Sequence, residues 1–150
     1  MRCTFFGHRD SPESIQGDLR ELLIFLIERE RVDTFYVGNH GQFDRMVKSH
    51  LEELAIIYPN IAYFIVLAYL PRNNEYQGVS IFPEGIESTL PRFAILKRNA
   101  WMIENSDYVV AYVTRCGGNS ARFLKSAVRK GKTVYNIADN YSIGDIKQVN

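Results

Sequence analysis

Three short stretches place glycine beside groups that handle anions. In Tyr112-Val113-Thr114-Arg115-Cys116-Gly117-Gly118-Asn119-Ser120 an apolar run opens into a double glycine and then directly into a helical pattern. Without a Cβ, Gly117 and Gly118 let the backbone turn sharply and approach a guest. The free N–H groups at a helix start then favour a phosphate or carboxylate. The second stretch, Gly7-His8-Arg9, leaves an apolar run with an imidazole and a guanidinium. Arg9 can clamp a phosphate through two parallel hydrogen bonds, and His8 can donate one or carry a proton. The third, Gly38-Asn39-His40-Gly41-Gln42-Phe43-Asp44, adds two glycines and a carboxylate suited to a ribose hydroxyl or to work as a base. Each stretch also has a plainer use. Asn119 or Ser120 can cap a helix, Arg9 can be solvated, and Asp44 can sit in a first helical turn where the dipole favours it.

Other candidates carry less weight. Arg98-Asn99 falls late in a helical pattern, and Glu84 and Glu87 lie in a long polar connection that could bring a carboxylate to the same cleft. Cys116, close to a helix start, is an alternative nucleophile. Cys3 and Cys116 are the only cysteines, too few for a disulfide framework or paired zinc ligands, and His40 and His50 lack metal-ligand spacing, so no metal is expected. Arg122, Lys125 and Arg129 form a basic stripe that reads as a solvated helix face.

The elements that must position these groups alternate. Residues 2–6 read as a buried strand, and Ser11-Pro12-Glu13 supplies an N-cap, a first-turn proline and an acid for a helix carrying Ile15, Leu19, Leu22, Leu23 and Leu26 on one stripe. Thr34 to Val37 is β-prone and ended by Gly38. Phe43, Val47, Leu51 and Leu54 mark a second helix, stopped before Pro59. Ile61 to Leu67 is continuously apolar, as a parallel strand covered on both faces requires. From Leu70 to Pro91 three prolines and two glycines break the pattern, predicting a long irregular connection that could serve as a lid. Helical spacing resumes with Phe93, Leu96, Ala100 and Ile103. Asp107 to Val113 is a fourth strand, a helix runs from about Ser120 to Lys130, and Lys132 to Ile137 is a fifth strand. Asp139 to Asn150 shows weak helical signals only.

This alternation predicts an α/β, three-layer Rossmann-like domain with a mainly parallel sheet in strand order 3-2-1-4-5, occupying residues 1–150 as one unit. Strands one and four then adjoin where the winding reverses, and ligands of open α/β sheets bind outside the strand carboxyl ends at that point. The 150 residues suffice for a full core, and 46% hydrophobic and 23% charged residues describe an ordinary globular chain. A formal net charge of +1 provides no global field for polyanions, so nucleic acid is an unexpected partner and any anion must be recognised locally. The longest apolar run is too short to span a bilayer, no charged-then-apolar leader is visible, and cysteine usage fits a reducing compartment. A cytoplasmic setting without a membrane partner is the expectation.

Taken together, Phe6-Gly7-His8-Arg9, Gly38 to Asp44, Arg98-Asn99 with Ser106-Asp107, and Gly117-Gly118 resemble, in order and spacing, the SLOG superfamily, particularly its small single-domain bacterial members of the YpsA-like kind. The resemblance spans nearly the whole chain. It implies a Rossmann-type domain that binds a nucleotide or nucleotide-derived ligand as a sensor or regulator, with no other cofactor. It also implies a homodimer or higher assembly, to which aromatics such as Tyr76 and Phe82 would contribute. The superfamily includes the Smf/DprA DNA-processing proteins and the Lonely Guy phosphoribohydrolases. The enzyme branch follows its glycines with glutamates, whereas Cys116-Gly117-Gly118-Asn119-Ser120-Ala121-Arg122-Phe123-Leu124 keeps the double glycine and has no acid in the next turn. Cleavage of an N-glycosidic bond needs a carboxylate, so that alternative rests on Asp44, Glu84 or Glu87, with His8 as a further candidate. An interaction protein with a vestigial cleft is the third reading.

Overall fold

In the computed structural model, residues 1–70 and 79–139 are described. The chain opens with β1 (Arg2–Gly7), whose Cys3, Thr4, Phe5 and Phe6 are all buried, as a strand covered on both faces demands. A 3-10 turn (Glu13–Ile15) leads into α1 (Gln16–Glu28), and β2 (Thr34–Val37), α2 (Gln42–Ile57) and β3 (Ala62–Val66) follow. A two-residue strand, β4 (Ser80–Ile81), precedes α3 (Pro91–Glu104), β5 (Tyr108–Tyr112), α4 (Asn119–Arg129), β6 (Thr133–Asn136) and a closing 3-10 turn (Ile137–Asp139).

All six strands lie in one parallel sheet, in the order β4-β3-β2-β1-β5-β6. The five long strands therefore stand in the expected order. The sixth is new: Ser80 and Ile81 pair with Ile65 and Val66 and extend the sheet into what the sequence marks as irregular connection. A two-residue strand shows no alternation, so nothing in the sequence distinguishes it from a loop. The rest of that connection includes residues 71–78, so the lid reading and Tyr76 lie partly or wholly outside the described residues, as does the tail from residue 140 onward. Phe82 is not a free aromatic: it is half-buried against the core.

Alternation within each strand builds the three layers. Phe5, Phe35, Ile65 and Val110 face one side with Leu19, Leu23 and Leu26 of α1 and Val47, Leu51 and Leu54 of α2. Phe6, Tyr36, Val66 and Val109 face the other side with Met102 and Ile103 of α3 and Ala127 of α4. Phe5 stacks on Phe35 at 6.1 Å, and on the opposite face Phe6 stacks on Phe123 of α4 at 5.4 Å. Each such side chain, fully removed from water, contributes about 1.5–3 kcal/mol before entropy is counted. One start signal is displaced. Ser11 does not cap α1; its hydroxyl donates to the His8 carbonyl at 2.7 Å and closes the turn after β1, so the helical run begins two residues later at Glu13. Among the described residues no helix is long and apolar enough to cross a membrane.

Candidate functional site

A cleft of about 510 Å³ opens at the carboxyl ends of β1 and β5, where the winding reverses. The strands bring their exits together by register, since Gly7 pairs with Tyr112. Three further bonds tie the exits: His8 Nε2 accepts the Thr114 N–H at 2.9 Å, Ser120 Oγ donates to the Gly7 carbonyl at 3.0 Å, and Arg115 pairs with Asp10 at 2.9 Å on the surface. Because Nε2 is an acceptor, the neutral His8 ring carries its proton on Nδ1. Burial, and then the Arg115 charge, hold His8 below the ordinary imidazole range against the opposing pull of Asp10. His8 is thus a neutral fastener between the two loops, committed at the atom that a proton acceptor would use.

Gly118, not Asn119 or Ser120, is the N-cap residue of α4, at φ +96°, a conformation that side chains rarely adopt. Among the described residues no side chain caps this helix. Ser120, expected at the cap, spends its hydroxyl on Gly7, and Asn119 is exposed in the first turn. Among the described residues the first N–H groups of α4 therefore have no intrahelical or side-chain acceptor. Open space surrounds the positions that a Cβ on Gly117 or Gly118 would occupy. A row of uncapped amides at the positive end of a helix, with room before it, is an anion seat.

The second half of the cleft is built on β2 and α2. Gly41 (φ +93°) begins α2, and a Cβ there would meet Arg9 Cα at 2.9 Å, so the exit of β1 lies directly on this turn, where Gln42 N–H donates to the Arg9 carbonyl at 2.9 Å. Gly38 likewise leaves room for others: a Cβ on it would meet Asp44 Oδ2 at 2.7 Å and Arg98 Cζ at 3.2 Å. Asp44 reaches back from the first turn of α2 to accept the His40 N–H at 3.0 Å. Desolvation pushes the Asp44 carboxyl up to about 6, offset by that amide bond and by the charge of Arg98.

Arg98, late in α3, is 3% exposed. It donates to Asn99 Oδ1 at 2.9 Å, to Asn39 Oδ1 at 3.2 Å and, more weakly, to the Val66 carbonyl at 3.4 Å, and it contacts His40 Nδ1 at 3.2 Å. Those partners are all neutral. Among the described residues Arg98 forms no ion pair, and Asp44 acts on it only at longer range. A buried guanidinium without a carboxylate in contact is costly unless a counter-charge arrives. The cleft that it lines admits one. His40 is held below the ordinary range first by burial, then by Arg98 and Arg9, so the basic side of the cleft stays free of an extra proton on His40 at neutral pH.

The remaining candidates separate clearly. Arg9 is exposed at the cleft margin, and its guanidinium makes no hydrogen bond or ion pair among the described residues. Gly7 lines the cleft, but its missing Cβ serves packing, since that atom would stand 2.2 Å from the Phe43 ring. Asn99 is buried and orients Arg98. Glu84 and Glu87 are exposed on the turns before α3 and do not line the cleft, which leaves Asp44 and Asp10 as the acids among its lining residues. Cys116 is exposed on the loop and outside the lining, and Cys3 is fully buried, where desolvation pushes its thiol up. Among the described residues no group of three His, Cys, Asp or Glu side chains could hold a metal ion. The lining also contains Asp10, His40, Ile95, Met102, Arg115 and Phe123, which sequence reasoning did not assign. Asp10, His40 and Arg115 stand in or beside the glycine loops and were legible there; Ile95, Met102 and Phe123 come from helices that reach the cleft only through the fold.

No family model and no curated protein matches the chain. Among solved structures it is similar to DNA processing protein A from Streptococcus pneumoniae, with a TM-score of 0.65 at 14% identity over 99% of this chain and 55% of that one. It is also similar to DNA processing protein A from Helicobacter pylori, with a TM-score of 0.53 at 14% identity over 93% of this chain and 77% of that one. This chain spans about half the length of the pneumococcal protein. The Helicobacter structure is described as revealing a single-stranded DNA binding mode. That finding corrects the expectation that nucleic acid is an improbable partner: near-neutral total charge does not exclude it for this architecture, because binding depends on local charge. At these identities the likeness is one of fold alone, a Rossmann-like α/β arrangement with a parallel sheet.

Proposed function

We propose that the cleft binds a nucleotide unit, with its phosphate on the amides of Gly117 to Ser120 and on Arg9, and its ribose or base beside Gly38, Gly41 and Asp44. One observation carries this reading: the uncapped start of α4 opens onto the same cleft as Arg98, a buried cation with no acid in contact. Among the described residues the amides have no acceptor and Arg98 has no acid within ion-pair distance, and a phosphate would serve them together. The unit can arrive as a free nucleotide or as part of a single-stranded nucleic acid. In the first case the chain acts as a sensor or regulatory domain of the small YpsA-like kind. Asn99 then positions Arg98, and Asp44 receives or donates a hydrogen bond at a sugar hydroxyl according to its protonation.

Calorimetric titration with AMP, GMP, ADP-ribose and a short oligothymidylate tests this. Saturable binding is expected from at least one nucleotide, weakened about tenfold or more in Arg9→Ala, as the loss of charge-assisted hydrogen bonds dictates. Absence of binding by every probe would leave the vestigial-cleft reading. An Asp44 carboxyl with a pKa of about 6 in the same cleft favours a second reading, acid–base cleavage of the glycosidic bond. Free base released from the titrated nucleotides by the parent protein and not by Asp44→Asn would establish it.

A further inference from the structure

Phe123 lines two hollows. On one side lies the cleft. On the other lies a groove of about 440 Å³, walled by Leu96 of α3 and by Arg122, Lys125, Ser126 and Arg129 of α4. The three cations are exposed, and none forms an ion pair among the described residues. The ion pair that joins the ends of the two helices, Lys130 with Glu104, uses none of them. Nor can α4 neutralise them itself, since Asn119 to Arg129 contains no acidic residue. Like charges three and four residues apart repel, which costs the helix some stability when the stripe is merely solvated. At 1.5 Å per residue the three charges cover about 10 Å of helix length.

We infer that this groove continues the cleft as a track for the sugar-phosphate backbone of a single-stranded nucleic acid. The inference rests on the cleft holding one nucleotide unit. The neighbouring phosphates then pass Phe123 and run along Arg122, Lys125 and Arg129. The size of the cleft favours a single strand over a duplex, because a hollow of about 510 Å³ has room for one unpaired unit and not for stacked pairs. Phe123, stacked on Phe6, fixes an aromatic edge at the junction, and a basic groove with an aromatic wall is the composition that single-strand binders use. The stripe, which the sequence presents as a solvated face, thereby acquires a counter-ion.

Fluorescence anisotropy of a labelled twelve-nucleotide oligothymidylate, measured between 50 and 300 mM salt, tests the track. For single strands the logarithm of affinity falls with the logarithm of salt by about 0.7 per phosphate neutralised. The combined variant Arg122→Gln, Lys125→Gln, Arg129→Gln is therefore expected to lower the slope by about 2, to weaken the oligonucleotide at 50 mM salt, and to leave AMP binding unchanged. All three side chains are exposed, so an unchanged melting temperature verifies the fold of the variant. A slope equal to that of the parent overturns the track while AMP binding keeps the cleft assignment. Displacement of the oligonucleotide by polyglutamate of equal charge, as effectively as by unlabelled oligonucleotide, overturns nucleic acid as the occupant. Oligonucleotide binding that depends on the three cations, with no AMP binding by the parent, overturns the track as a continuation of the cleft and leaves the groove as a separate site.

Discussion

Asp44 holds its proton above the ordinary carboxylate range because burial desolvates its carboxyl, and one amide and the nearby charge of Arg98 only partly offset the desolvation. The sign of the stability effect follows. An acid whose folded pKa lies above its unfolded value binds protons more readily when folded, so it lowers stability as pH rises. Its penalty is absent below about 3.8 and fully present above about 6. Asp44→Asn keeps an acceptor for the His40 N–H and removes the ionisation. Between pH 4 and pH 7 its stability relative to the parent should therefore improve by roughly 2–3 kcal/mol, read from urea unfolding at the two pH values. A relative stability that stays flat across that window would show that the carboxyl is hydrated rather than enclosed. Arg98 belongs to the same argument. A cation donating to Asn99, Asn39 and Val66 and touching His40 is held in place by neutral groups, with Asp44 acting on it from beyond ion-pair distance.

At the level of elements, the glycines of the site divide into those that admit protein and those that leave space. Gly7 lets α2 press Phe43 onto the tip of β1, whereas Gly117 precedes α4 with nothing near it. Gly7→Ala should cost about 1–3 kcal/mol or more through forced repacking, and Gly117→Ala should stay within about 0.5 kcal/mol, both by chemical denaturation. Equal costs would contradict the distinction. The sequence made the five long strands and their order legible, because continuous apolar runs at strand spacing and right-handed crossovers leave few arrangements. It could not announce β4, whose two residues have no period, nor the true start of α1, because Ser11 has a competing acceptor at His8. The glycine loops were legible as local patterns at strand exits. The enclosure of Arg98 was not, since its partners Asn39, His40 and Val66 lie 59, 58 and 32 residues away and meet it only when α3 packs on the face of the sheet. Glu84 and Glu87 illustrate the converse: suitable chemistry, but on turns that face solvent.

Across the whole molecule, the position of the cleft is set by where the sheet reverses its winding and not by total charge. From β1 the chain builds outward through β2, β3 and β4 on one side, and through β5 and β6 on the other, so the exits of β1 and β5 diverge around a gap that no crossover fills. Bonds from His8 to Thr114 and from Ser120 to Gly7 keep that gap at fixed width, and Asn136 secures the far loop by accepting from and donating to the Val113 backbone, both at 3.0 Å. A formal net charge of +1 is therefore compatible with a local gathering of positive groups, since the start of α4, Arg9 and Arg98 line one hollow. The most direct measurement is an amide-resolved NMR titration of the isotope-labelled protein with AMP and GMP. The account predicts saturable shifts concentrated at the backbone N–H groups of Gly117, Gly118, Asn119 and Ser120, with Arg9 moving alongside. Nucleotide binding that leaves those four amides unmoved, or no perturbation anywhere at saturating nucleotide, would contradict it.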